Sequence, residues 1–107
     1  MPKQFDVYRN PSAKTNKLWP FYLILQNDYF DDLMTRIVVP LVSKHDIDLN
    51  KKRITPLVKI NKSDFYVFTP AITFLDVKKI DSKDFICNIS LSRNEIISAL
   101  DAIVTNT

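Results

Sequence analysis

Residues 3–9 alternate, with Phe5 and Val7 set against Gln4 and Asp6, which is the two-residue period of a half-buried strand. A polar stretch with Pro11 and Ser12 follows, so 10–17 reads as a loop. Residues 19–26 are dense in aromatic and aliphatic side chains and stop at Asn27-Asp28, predicting a second strand buried on both faces near its middle. Residues 35–42 carry Ile37, Val38, Val39 and Leu41 and predict a third strand. Pro40 lacks an N–H, which places that part of it at an edge or a bulge. Residues 44–53 are polar and charged and read as a long loop. Residues 56–60 and 64–69 predict a hairpin around Asn61-Lys62-Ser63-Asp64. Residues 72–80 predict a weaker strand, and 85–91 is short and ambiguous.

The period changes at the carboxyl end. Ser92-Arg93-Asn94-Glu95 fits a capping box, with the Ser92 hydroxyl accepting from the Glu95 N–H and the Glu95 carboxylate reaching back. Ile96, Ile97, Ala99, Leu100, Ile103 and Val104 then recur on one face of a helix of about three turns. The pattern predicts a mainly β (α+β) chain of antiparallel strands closed by one amphipathic carboxyl-terminal helix.

Composition narrows the functional classes. The 107 residues, 46% apolar and 25% charged, suit a single domain over 1–107. Cys87 is the only cysteine, which excludes a disulfide scaffold. No apolar run approaches the ~20 residues of a membrane span, and the amino end has no apolar signal core, so the expected location is cytoplasmic. The sequence contains no glycine. That excludes the glycine-dependent phosphate loops and forces tight hairpin turns onto Asn or Asp in left-handed geometry. The net charge of +3 is mild and its basic residues are dispersed, apart from Lys51, Lys52 and Arg53, unlike a dedicated nucleic-acid binder. All the acids except Glu95 are Asp, which suits turns better than helix interiors.

Candidate chemistry is sparse. His45 and Cys87 have no spaced partners, so no metal site is expected. His45 reads as a loop residue and Cys87 as a small buried hydrophobe. The acid pairs Asp31-Asp32, Asp46 with Asp48, and Asp81 with Asp84 lie in turn-like stretches and read as solvated loop carboxylates. Of the aromatics beside basic residues, Phe21, Phe65 and Phe68 are assigned to the core, while Tyr22 and Tyr66 stay open. Tyr29 and Phe30 sit between acids, just after a strand, where a loop is expected. Two readings of that pair remain: an exposed interface, or a satellite cluster tucked under the sheet.

The order of these segments resembles the CcdB toxins of toxin–antitoxin pairs. The similarity is carried by Gln4-Phe5, Val7 and Tyr8, by Leu25-Gln26-Asn27-Asp28 with Tyr29-Phe30-Asp31, and by Arg36-Ile37-Val38-Val39-Pro40-Leu41. It continues in Pro56-Leu57-Val58-Lys59-Ile60 and in Arg93-Asn94-Glu95-Ile96-Ile97 with Ala99. The resemblance implies a small SH3-like barrel of antiparallel strands, a lesser second sheet and a carboxyl-terminal helix, assembled as a homodimer without cofactor or catalysis. It implies binding to and poisoning of the DNA gyrase A subunit, and neutralisation by a CcdA-like antitoxin with an acidic, partly disordered segment. Carried over by position, the gyrase-contacting residues are Tyr29, Phe30, Asp101, Val104, Thr105, Asn106 and Thr107. Family members end in Trp-Gly-Ile or a similar Gly-Ile; this chain ends in Thr105-Asn106-Thr107, a polar replacement for an apolar anchor.

Two alternatives accompany this reading. One is an endoribonuclease of the Kid and MazF type, in which Arg9, Arg36 and Arg53 with nearby Asp would supply the acid, base and cation. The other is a homologue that binds antitoxin but has lost gyrase poisoning. Neither a membrane nor direct nucleic-acid specificity is expected.

Overall fold

The computed structural model describes residues 2–45 and 54–105. Its elements are β1 (Asp6–Arg9), β2 (Phe21–Ile24), β3 (Thr35–Ser43), β4 (Leu57–Ile60), β5 (Ser63–Val67), β6 (Thr73–Asp76), β7 (Phe85–Asn88) and α1 (Arg93–Val104). Short 3₁₀ turns at 28–30, 69–71, 77–79, 82–84 and 90–92 join several of them. The long loop expected over 44–53 falls mostly on 46–53, outside the described residues.

All pairings are antiparallel, in the order β4-β5-β3-β2-β1-β7, and the sheet curls into a half-barrel. The lesser sheet is a branch. β6 pairs with the first half of β3, from Thr35↔Asp76 to Val38↔Thr73, while β5 pairs with its second half, from Leu41↔Val67 to Ser43↔Phe65. Pro40 lies at this fork, in a strand with neighbours on both sides, and so corrects the edge placement expected for it. Its carbonyl accepts from the Phe68 N–H at 3.0 Å, on the side where β3 exchanges partners. N–H and C=O of one strand residue point the same way, so the donor that proline lacks falls in the gap between β6 and β5.

Side-chain alternation sorts the strands into two apolar clusters. Val7, Leu23, Val39 and Leu41 face the main core, where Phe65 and Val67 join them and Ile96 of α1 closes it. Tyr8, Ile24 and Val38 point to the other face, under Tyr22, Leu75 and Ile80. β2 is therefore buried on both faces near its middle, as its composition predicts. Tyr66 is buried, while Phe68 is half-buried with its ring 5.5 Å from that of Trp19.

The helix begins differently from expectation. Ser92 makes no side-chain cap, and its φ of −94° and ψ of 13° lie in the bridge region rather than the extended geometry usual for a cap. The 90–92 turn runs straight into α1, and the Arg93 N–H donates to the Ser90 carbonyl. Capping moves upstream, where Asn88 Oδ1 accepts from the Ser90 N–H at 3.0 Å. Residues 72–80 likewise yield only four strand residues, because Asp76 Oδ1 accepts from the Lys78 N–H and turns the chain into 77–79.

Without glycine, left-handed geometry falls on other residues. Asn61 (φ 51°) and Lys62 (φ 70°) form the two-residue loop between β4 and β5, closed by Ile60↔Ser63. Asn is the expected occupant; Lys costs about 1 kcal/mol in that region. Phe5, at φ 69°, is a bulky residue where few are found. Its N–H donates to Ile24 O at 2.7 Å, its carbonyl accepts from Ile89 N at 2.9 Å, and its ring is buried in the main core. Those bonds fix the strained backbone.

Candidate docking site

Asn27 closes the end of β2 with an N-cap: its Oδ1 accepts from the Tyr29 N–H at 3.0 Å and winds 28–30 into a single turn. Three further side chains clamp that turn to the body. Asp28 Oδ1 accepts from the Gln4 N–H at 2.8 Å. Gln26, itself buried, donates from Nε2 to Phe30 O at 2.8 Å and accepts at Oε1 from the Ile37 N–H at 3.2 Å. Arg36, 1% exposed, donates to the carbonyls of Leu33 (2.6 Å), Thr35 (3.0 Å) and Asp31 (2.8 Å). Among the described residues, no carboxylate lies within 4.0 Å of that guanidinium.

The clamped turn projects the two aromatics outward. Tyr29 is 83% exposed and Phe30 49%, with their rings edge to face, centroids 5.0 Å apart. Neither ring is thus tucked away under the sheet as a satellite cluster. Leu33, Met34, Ile37 and Phe74 are also exposed. Ile37 and Phe74 are register partners across β3 and β6, so they share a face. Beside Phe30 runs a groove of about 410 Å³ whose walls include Leu25, Gln26, Leu33 and Ile37. Scattered exposed apolar residues are ordinary, but a contiguous group on a braced scaffold marks a binding surface.

Leu33, Met34, Ile37 and Phe74 escape a reading of the sequence. Ile37 follows the same alternation as buried Val39 and Leu41, and only the end of the core beneath it separates them.

At the other candidate patch, Asp101, Val104 and Thr105 fall at i, i+3 and i+4 on one exposed side of α1. Thr105 closes the last turn on itself, its N–H and Oγ1 both donating to Asp101 O at 2.9 and 2.6 Å. Val104 is left as the exposed apolar group there. Asn106 and Thr107 lie outside the described residues. The start of α1 is linked to the aromatic turn through Gln4: Arg93 donates to Gln4 Oε1 at 3.3 Å, and the Gln4 N–H donates to Asp28 Oδ1. Val104 sits eleven residues further on, roughly 16 Å along the helix axis.

Two of the three cations considered for RNA cleavage fall within the described residues. Arg36 is spent on carbonyls, Arg9 is exposed on β1, and Arg53 lies outside the described residues. Among the described residues, no group of three His, Cys, Asp or Glu side chains is placed to hold a metal ion. No helix there is long and apolar enough to cross a membrane.

Burial, reinforced by the Asp6 carboxylate, raises the Cys87 thiol above its ordinary value of 9.0. Burial, then the charge of Asp6 and a hydrogen bond to it, raises the Tyr8 phenol; burial alone raises that of Tyr22. Each group is thus harder to ionise folded than unfolded. The stability they contribute is complete below the unfolded values and is lost as pH climbs through the raised ones. Thermal melts are expected to show Tm falling above about pH 9, with Cys87→Ala removing the earliest part of the fall. A Tm unchanged up to about pH 10.5 contradicts this.

The chain matches the model of the protein family described as CcdB protein over residues 4–106, nearly its whole length. A comparison with curated proteins finds no match.

Proposed function

Since the chain belongs to the CcdB family of toxin–antitoxin toxins, we propose that it acts in the cytoplasm as a single-domain homodimer that binds the DNA gyrase A subunit and poisons it. A CcdA-like antitoxin neutralises it. The action is docking, with no bond made or broken by the toxin. The observation that carries this reading is the aromatic pair: Tyr29 and Phe30 are held outward by Asn27, Gln26 and Arg36 on a turn that has no other use for them.

The exposed end of α1, with Asp101, Val104 and Thr105 and then Asn106 and Thr107, forms the second contact. Each copy carries both patches, so a two-fold pair of chains offers a large target four contact points instead of two.

Inducible expression in cells with sensitive and with toxin-resistant gyrase tests the proposal. Killing confined to the sensitive background is the expected result. Killing in both backgrounds with degraded message overturns it in favour of an endoribonuclease, and healthy growth in both overturns poisoning.

A further inference from the structure

Gln4, half-buried just ahead of β1, stands between the aromatic turn and the start of α1. Its side-chain Nε2 donates to Leu25 O at 3.0 Å, and its Oε1 accepts from Arg93 at 3.3 Å. Leu25 follows β2 and lines the groove beside Phe30, while Arg93 is the first residue of α1. We propose that Gln4 is a positioning residue of the docking site: its side-chain amide sets the angle of α1 against the aromatic turn, and so the span between the two patches. The inference rests on the docking reading above and deepens it, since Gln4 belongs to neither patch.

The backbone that carries this side chain is fixed on both sides. The Gln4 N–H donates to Asp28 Oδ1 at 2.8 Å, and its carbonyl accepts from Asn88 Nδ2 at 3.1 Å. Asn88 Nδ2 also donates to Asp6 Oδ1 at 2.9 Å, and Asn88 Oδ1 holds the 90–92 turn that leads into α1. Phe5 follows in left-handed geometry, its N–H donating to Ile24 O and its carbonyl accepting from the Ile89 N–H. A side chain bonded at both ends from a backbone so held keeps little freedom. The partner therefore meets patches already spaced, with little ordering cost.

Arg93 is held from a second direction. Its guanidinium carbon lies 5.5 Å from the centroid of the Phe5 ring, which is buried in the main core. Among the described residues, no carboxylate comes within 4.0 Å of Arg93. An amide and a ring from residues 4 and 5 thus orient the first side chain of α1. Ile96, Ala99 and Ala102 bury the same helix, but apolar packing is non-directional and resists a tilt less than a bond does.

Leverage gives this small contact its effect. Val104, exposed, stands at the other end of α1, roughly 16 Å along the axis from Arg93. A tilt of about 10° at the start of the helix displaces that end by about 3 Å. Preformed interfaces shift their backbone by only about 1 Å on binding, so such a displacement spoils the match.

Residual dipolar couplings of the full chain, with no partner present, read the angle between the 28–30 turn and α1. Gln4→Leu keeps the size of the side chain and removes both polar ends. It should change that angle by about 5–10° while the couplings within each element keep their internal pattern. Arg93→Gln releases the same strap at its other end, should tilt α1 in the same sense, and should add nothing to Gln4→Leu. Titration with a gyrase A fragment then separates positioning from plain support. Gln4→Leu should weaken binding about fivefold in the wild-type chain, but less than about twofold once Asp101→Ala, Val104→Ser and Thr105→Ala have erased the helix patch. An unchanged angle in both variants, or equal weakening in both backgrounds, overturns the inference alone. Failure of the docking reading has a different signature: the wild-type chain leaves the gyrase A fragment unbound, and the inference falls with it.

Discussion

Phe30→Ala is expected to weaken gyrase binding by about 2–4 kcal/mol, roughly 30- to 700-fold, while unfolding free energy drops by about 1 kcal/mol or less. The two effects separate because of where the ring stands. A buried aromatic truncated to Ala costs about 3–5 kcal/mol of stability, but Phe30 is half exposed and its backbone carbonyl, held by Gln26, survives the substitution. In a complex the ring becomes an anchor whose remaining surface leaves water, with Tyr29 packed edge-on as support. Calorimetric titration against a gyrase A fragment, paired with urea unfolding, reads both numbers. Leu91→Ala supplies the control, since Leu91 is fully exposed in the 90–92 turn. A stability loss of about 3 kcal/mol with binding retained identifies Phe30 as a core residue and removes it from the docking site.

Arg36→Met should cost about 2–4 kcal/mol of stability and lower Tm on the order of 10–20 °C. Buried charges are ordinarily matched by opposite charge, yet this guanidinium is satisfied by the backbone carbonyls of Asp31, Leu33 and Thr35. It replaces a length of secondary structure: the 31–34 segment has little regular pairing of its own, and one side chain ties it down. Methionine keeps the apolar stem and removes all three donors, leaving acceptors that reach water only if the segment lifts away. Arg36→Lys is expected to recover little, because a single ammonium does not span the carbonyls that a planar fork does. Hydrogen exchange should show faster exchange around residues 31–37, and gyrase affinity should fall in parallel. A variant that loses less than about 1 kcal/mol shows that the segment is held by something else.

Much of this fold was legible in the residues. Alternation located the strands because one face of each meets a core, and the change to helical period after Ser92 located α1. Pro40 was misplaced for a specific reason: a missing donor announces that a hydrogen bond is absent, but not that the neighbouring strand changes there. Ser92 matched a capping pattern that the chain never used, since a 3₁₀ turn had already shaped the helix entrance. Asp76 broke the sixth strand through a local side-chain bond that period-counting does not register. At the site, Tyr29 and Phe30 were visible as aromatics stranded among acids. Leu33, Met34, Ile37 and Phe74 were not, because their exposure depends on where the core beneath β3 stops. Arg36 could be read only as a free cation, and its burial under three carbonyls is a property of the folded loop alone.

Gln4 has a consequence for when the protein becomes competent. Its amide N–H holds the turn bearing the aromatics, its carbonyl accepts from Asn88, and its side chain meets Arg93. These contacts span 84 and 89 residues, so loop-closure entropy makes them late to form. The turn's own braces, from Gln26, Asn27, Asp28 and Arg36, reach no further along the chain than Ile37 and can form early. Fastening Gln4 to β7 and α1 is therefore a closing step of folding, one that couples an aromatic turn already wound to the far end of the chain.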